Sequence, residues 1–310
     1  MTIYLHCGGH KTASSFMKTF LRKNKALFES QRIAIHLDVF RDREITAEDV
    51  IKLVERDYQN NYQKIVISED ANIIGLMPGI FQPSDRGFFN TNSILKFSNL
   101  IAKVNQKYPT KFLLCVRRQD TYLESCYKFR KSYGAKYSLE YFLGKAREIN
   151  LSWYDVVNSV AIHIGQENCF ITPYELLKKS QAEFIATFFE SILAIDLDKV
   201  IIPPPNNQGA SELIMAIINY LDRDFPDIPV KHRKEILSII RKNQAKNTTK
   251  ASLLSETSKS KILHEYATSN HKLFAAYIPN FPENYYDLAY STAKPANNTV
   301  PSHQLLTTNY

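Results

Sequence analysis

The chain has 310 residues, 44% of them hydrophobic, which is enough to bury a substantial core in one large or two small domains. Its formal charge of +8 suits an anionic ligand, and its apolar runs are all too short to form a membrane span. Four scattered cysteines without a C-x-x-C pair exclude a zinc finger or a disulfide framework, and they read as reduced thiols in a cytoplasmic protein.

Strand-like and helical patterns alternate along the chain, which is the signature of an α/β fold with a mainly parallel sheet. Strands are expected at Ile3–Cys7, Arg32–Leu37, Lys64–Ser68, Phe112–Val116 and Cys169–Thr172. Continuous apolar runs such as Ile65-Val66-Ile67 and Phe112-Leu113-Leu114-Cys115-Val116 suit strands covered on both faces. Helices are expected near 14–28, 47–58, 92–106, 121–132, 139–148, 153–163, 175–193, 210–222, 230–244 and 255–275. In such sheets ligands collect beyond the carboxyl ends of the strands, so the residues that follow each strand carry the most information.

After the first strand the chain reads Gly8-Gly9-His10-Lys11-Thr12-Ala13-Ser14-Ser15 and then enters a helix. Glycines permit close backbone approach, the helix N-terminus favours an anion, Lys11 adds a point charge, and Thr12, Ser14 and Ser15 add hydroxyls. The triphosphate pattern G-x-x-x-x-G-K-[ST] would need glycine at His6 and His10, so only Lys11-Thr12 fits it. After the fourth strand come Arg117-Arg118-Gln119-Asp120-Thr121 and, four residues on, Ser125. Thr121 and Glu124 have capping-box spacing, which predicts a helix start at Thr121 with Ser125 in its first turn. An arginine fork and a hydroxyl would then form a second anion site beside the first.

Both segments resemble the PAPS-dependent sulfotransferases, in particular their bacterial members. The first is similar to the family's G-x-H-K-T-G-T-T loop, with Ala13 in place of a glycine and Ser14-Ser15 in place of threonines. The second reproduces the family's arginine followed eight residues later by serine, as Arg117 and Ser125, and either Arg117 or Arg118 can fill the arginine's place. Tyr174-Glu175-Leu176-Leu177 and Asn206-Asn207-Gln208-Gly209-Ala210-Ser211 extend the likeness, which covers roughly residues 3–225.

The resemblance implies a P-loop NTPase-like three-layer fold with a helical C-terminal part. It also implies a sulfuryl donor, 3′-phosphoadenosine-5′-phosphosulfate (PAPS), that leaves as PAP, and no metal. Lys11, the hydroxyls and the backbone of residues 8–15 would take the 5′-phosphate side, and Arg117, Arg118 and Ser125 the 3′-phosphate. The acceptor would be a hydroxyl or amine of a carbohydrate or small molecule. Glu69, which follows the strand at 64–68, is the first choice of general base, with His10 and His36 as rivals. One domain is expected over residues 1–290, with a sheet core to about 200, a helical extension over about 206–290 and a polar tail at 291–310. A P-loop kinase or NTPase, and a non-catalytic nucleotide- or glycan-binding module, are the alternatives. The basic residues of 232–261 either attract an acidic glycan or form a solvated helix face, and no nucleic-acid-binding module is recognisable.

Overall fold

The computed structural model describes residues 1–7, 11–40, 45–69, 91–148, 151–190, 193–204, 209–244 and 248–287. Asn206-Asn207-Gln208, Tyr290 and the tail at 291–310 lie outside them. Five strands, β1 (Thr2–Cys7), β2 (Ile33–Leu37), β3 (Lys64–Glu69), β4 (Thr110–Val116) and β5 (Cys169–Pro173), form one sheet in the order β2-β3-β1-β4-β5. Every neighbouring pair is parallel.

Helices cover both faces. Along β1 the side chains alternate: Ile3, Leu5 and Cys7 enter one core layer and Tyr4 the other. The first layer receives α3 (Ala47–Gln59), α4 (Thr91–Asn105), α5 (Gln119–Ser132), α6 (Leu139–Arg147) and α7 (Trp153–Ile164). The second receives α1 (Ser14–Lys23), α2 (Lys25–Ser30), α8 (Tyr174–Lys179) and α9 (Gln181–Ile185), the last running into a π-helical turn at Ala186–Glu190. In the C-terminal part, α10 (Glu212–Asp224) and α11 (Val230–Asn243) share a small core of their own. The long α12 (Glu256–Tyr277) instead adds Ile262, Leu273 and Phe274 to the first sheet layer. Among the described residues no helix is long and apolar enough to cross a membrane.

All five expected strands form, and three helical expectations are refined. The single helix expected at 14–28 is two, because the Asn24 side chain leaves the helix path to exchange hydrogen bonds of 2.9 and 2.7 Å with the backbone of Ile201. The helix expected over 175–193 is broken at Ser180, whose hydroxyl caps α9. The capping box at Thr121 and Glu124 does not form. The helix starts at Gln119 instead, and Glu124 accepts from Leu253 N and pairs with Lys128 at 3.2 Å. Ser125 therefore stands in the second turn of α5.

Candidate functional site

β1 is the middle strand, and its outgoing helix α1 packs on one face of the sheet while α5, leaving β4, packs on the other. The two connections thus diverge at the carboxyl ends of adjacent parallel strands, and a crevice opens between them. This is the topological switch point where open α/β sheets bind ligands.

The backbone is left-handed at Lys11 (φ 62°) and again at Ala13 (φ 72°), but not at Thr12 between them. Such alternation turns N–H groups into a shared concavity suited to an anion. Ala13 is the residue that precedes α1, and no side chain caps that helix. Arg118 precedes α5, which also begins without a side-chain cap. Several other helix N-termini are closed by hydroxyls, those of Thr46, Ser138, Ser152 and Ser255 for α3, α6, α7 and α12, whereas α2, α8 and α11 begin without a side-chain cap. Both α1 and α5 start at the carboxyl end of the sheet, where the first-turn N–H groups of a helix favour an anion.

Arg117 joins the two loops. Its Nη1 donates to the Lys11 carbonyl at 2.9 Å and its Nε to Thr121 Oγ1 at 3.0 Å, and the guanidinium lies 4.6 Å from the centre of the Tyr174 ring. Trp153, fully buried, donates from Nε1 to the Arg117 carbonyl at 2.7 Å and fixes the end of β4. Among the described residues Arg117 has no carboxylate partner, and its Nη2 makes no hydrogen bond. Arg118 differs. Its Nε and Nη2 each meet a carboxylate oxygen of buried Asp120 at 2.8 Å, a bidentate pair that neutralises it. The two neighbours thus differ: Arg118 is paired with a carboxylate and Arg117, among the described residues, is not.

Lys11 is half-buried, with Nζ held 4.9 Å from the centre of the Phe129 ring rather than by a carboxylate. Burial lowers its pKa, Arg117 and Arg241 lower it further, and Cys126 acts the other way. Lys178, one turn beyond Tyr174 on α8, is also depressed, first by burial and then by Arg117, with Lys250 and Arg118 adding to the effect. Lys178 was not anticipated, because its approach to Arg117 is a tertiary event. Thr12 is fully buried, Ser14 is half-buried and Ser15 is exposed. Ser125 is half-buried on the same helix as Thr121, one turn farther on, with no hydrogen-bond partner among the described residues. Gly8, Gly9 and His10 lie outside the described residues.

Glu69 ends β3 and stands in register with Cys7, the last residue of β1. It is 0% exposed, and its Oε1 accepts from Phe40 N at 3.2 Å. Burial raises its pKa to about 7, with nearby Asp38 adding to the effect, while the N–H groups of Phe40 and Val39 and the charge of Lys18 oppose it. Its Oε2 has no partner among the described residues. Lys18 and Asp38 are paired with each other beside it. His36 is not brought to the crevice: it stands on the edge strand β2, two strands from β1, with its Nε2 held by Asp57. The aromatic Tyr286 is core, and its hydroxyl donates to Glu175 at 3.0 Å. All four cysteines are buried free thiols.

No protein-family model matches the chain. No curated protein matches its sequence. Two solved structures are similar to it. A sulfotransferase from Alicyclobacillus acidocaldarius has 12% identity and a TM-score of 0.42 over 76% of this chain and 94% of that one. A mouse sulfotransferase complexed with PAP has 14% identity and a TM-score of 0.42 over 87% of this chain and 84% of that one.

Proposed function

We propose that the chain moves a sulfuryl group from PAPS to a hydroxyl or amine of a carbohydrate or small-molecule acceptor, releasing PAP. The observation that carries this reading is the hydrogen bond from Arg117 to the Lys11 carbonyl, which sets two anion-seeking loops side by side at the switch point. A donor with phosphate at both ends of its ribose needs two such places, and a triphosphate needs one.

When bound, PAPS supplies an activated sulfuryl group. Lys11 sets a positive charge at the 5′ side, where a leaving phosphate requires one. Thr12, Ser14, Ser15 and the N–H groups that open α1 cradle that phosphate. Arg117 grips the 3′-phosphate through Nη2, with Ser125 as a further donor, while Arg118 uses its charge on Asp120 and braces the turn. Glu69 receives the acceptor's proton at Oε2, and a carboxyl that titrates near 7 is matched to that task at neutral pH.

Calorimetry of PAP against ATP–Mg²⁺ tests the reading. PAP binding in the absence of metal is expected, and ATP–Mg²⁺ binding without PAP binding rejects the proposal in favour of a kinase or NTPase.

A further inference from the structure

The charge of this chain is unevenly distributed. Residues 230–261 hold nine lysines and arginines against two glutamates, a net +7 of the whole chain's +8. This segment, which includes α11, meets α5: Lys128 Nζ donates to the Ala251 carbonyl and Lys234 stands over the Tyr133 ring, and Arg241, near the end of α11, helps to lower the Lys11 pKa. A second pattern coincides with it. On α5, Phe129 and Tyr133 are one turn apart, with ring centres separated by 4.6 Å. Lys11 Nζ stands 4.9 Å from the first ring, and Lys234 Nζ of α11 stands 3.9 Å from the second. Tyr133 is 43% exposed, and Lys234 and Arg241 are exposed.

An ammonium held on an aromatic face is positioned without being neutralised, because the ring carries a quadrupole and no net charge. A carboxylate partner positions a lysine by cancelling its field, as Glu124 does for Lys128 and Asp222 for Lys131. Among the described residues neither Lys11, Lys234 nor Arg241 has a carboxylate partner. Lys11 and Lys234 are thus positioned by rings and still available to an anion, and the line begins at Lys11, where the transfer reading requires an acceptor to arrive.

We propose that this cation–aromatic track, from Lys11 along Phe129 and Tyr133 to Lys234 with Arg241 beside it, seats an anionic carbohydrate as the acceptor. The proposal rests on the transfer reading above. Each unit of an acidic sugar chain can present a hydroxyl for transfer, an anion for a neighbouring cation and an apolar ring face for an aromatic side chain.

The test is calorimetry on the full chain with three probes. These are a hexasaccharide of alternating glucuronic acid and N-acetylglucosamine, the same hexasaccharide after carboxyl reduction, and a single-stranded oligonucleotide of matched charge. PAP is titrated into the same samples. The acidic hexasaccharide is expected to bind at least about tenfold more tightly than the reduced one, with affinity falling as salt rises. The double variant Lys234→Gln/Arg241→Gln should lose about tenfold in that affinity and keep its PAP affinity, which also shows that it folds. The control pair Lys52→Gln/Lys103→Gln removes the same charge from exposed positions outside this basic segment and should change neither. Equal binding of acidic and reduced sugar, equal loss in the control pair, or tighter binding of the oligonucleotide each overturns the proposal. Loss of PAP affinity in the Lys234/Arg241 variant assigns those cations to the donor and overturns it as well. Wild-type chain that binds the acidic sugar but no PAP leaves the track standing as a glycan site and removes the transferase reading.

Discussion

The two flanks of β1 differ in sign. Toward β3 the sheet edge holds a buried carboxyl, Glu69, with Lys18 and Asp38 cancelling one another beside it. Toward β4 it holds Lys11, Arg117 and Lys178, none ion-paired among the described residues. One flank presents a buried carboxyl and the other cations without an ion pair, although both stand at the carboxyl ends of adjacent strands. Residue type alone does not decide this. Arg117 and Arg118 are neighbours, yet Asp120 takes the charge of one and leaves the other open. The lesson is that compensation, more than composition, distinguishes neighbouring charges.

The comparison can be broken most severely on the cationic flank. Lys11→Ala should lower sulfuryl transfer from labelled PAPS by at least about a thousandfold, because it removes the charge at the leaving phosphate. Near-normal turnover in that variant would falsify the assignment of Lys11. On the acidic flank, Glu69→Gln is expected to cost about a hundredfold or more in turnover with PAP affinity retained. Wild-type activity should climb with pH through about 7, and that limb should vanish in the variant. If the limb persists, another group is the base.

Glu69 also links pH to stability. Its folded pKa is raised, so between 4.5 and about 7 the native state binds more protons than the unfolded chain. The stabilisation is therefore complete below the unfolded value and is lost as pH rises through the folded one. Thermal melts of wild type and Glu69→Gln from pH 4 to 8 should shift in the variant's favour as pH increases, by up to about 3 kcal/mol. A pH-independent difference would mean that Glu69 is ionised in the fold.

Smaller effects sharpen the distinction between the arginines. Arg117→Ala should weaken PAP by about tenfold or more, and adenosine 5′-phosphosulfate, which lacks the 3′-phosphate, far less. Arg118→Ala should change PAP affinity by no more than about twofold and act on stability instead. Equal losses for both ligands with Arg117→Ala would move the 3′-phosphate elsewhere. Last, Ala13 occupies a left-handed position that glycine adopts freely, so Ala13→Gly should raise stability by about 1 kcal/mol in urea melts.

Much of this architecture was legible in the sequence. Strands such as Ile65-Val66-Ile67 are covered on both faces, and only continuous apolar runs satisfy that environment. The turn at Arg117 was visible because it follows such a run. The signals that misled were local ones overruled from afar. Thr121 and Glu124 have the spacing of a capping box, but Leu253 N and Lys128 claim the carboxylate, while Thr121 donates to the Arg118 carbonyl. Asn24 broke a helix because Ile201 offered its backbone from a distant segment. His36 looked available until Asp57 on a separate helix engaged it. Leu253, Ile201 and Asp57 are each remote in sequence from the residue they engage, and no window of neighbouring residues contains them.

One pair of side chains bears on how the site comes into being. Gln119 and Asn270 exchange amide hydrogen bonds of 2.8 and 3.0 Å while both are buried, and they tie the first turn of α5 to α12. Until Asn270 arrives, the Gln119 amide next to Arg118 lacks this partner, at a cost on the order of 1–3 kcal/mol if it is already shielded from water. During synthesis the sheet and both anion loops leave the ribosome well before α12 does. The Arg117–Arg118 turn thus acquires its final footing late, when the long C-terminal helix docks, and a chain halted before that helix should carry the turn without this brace.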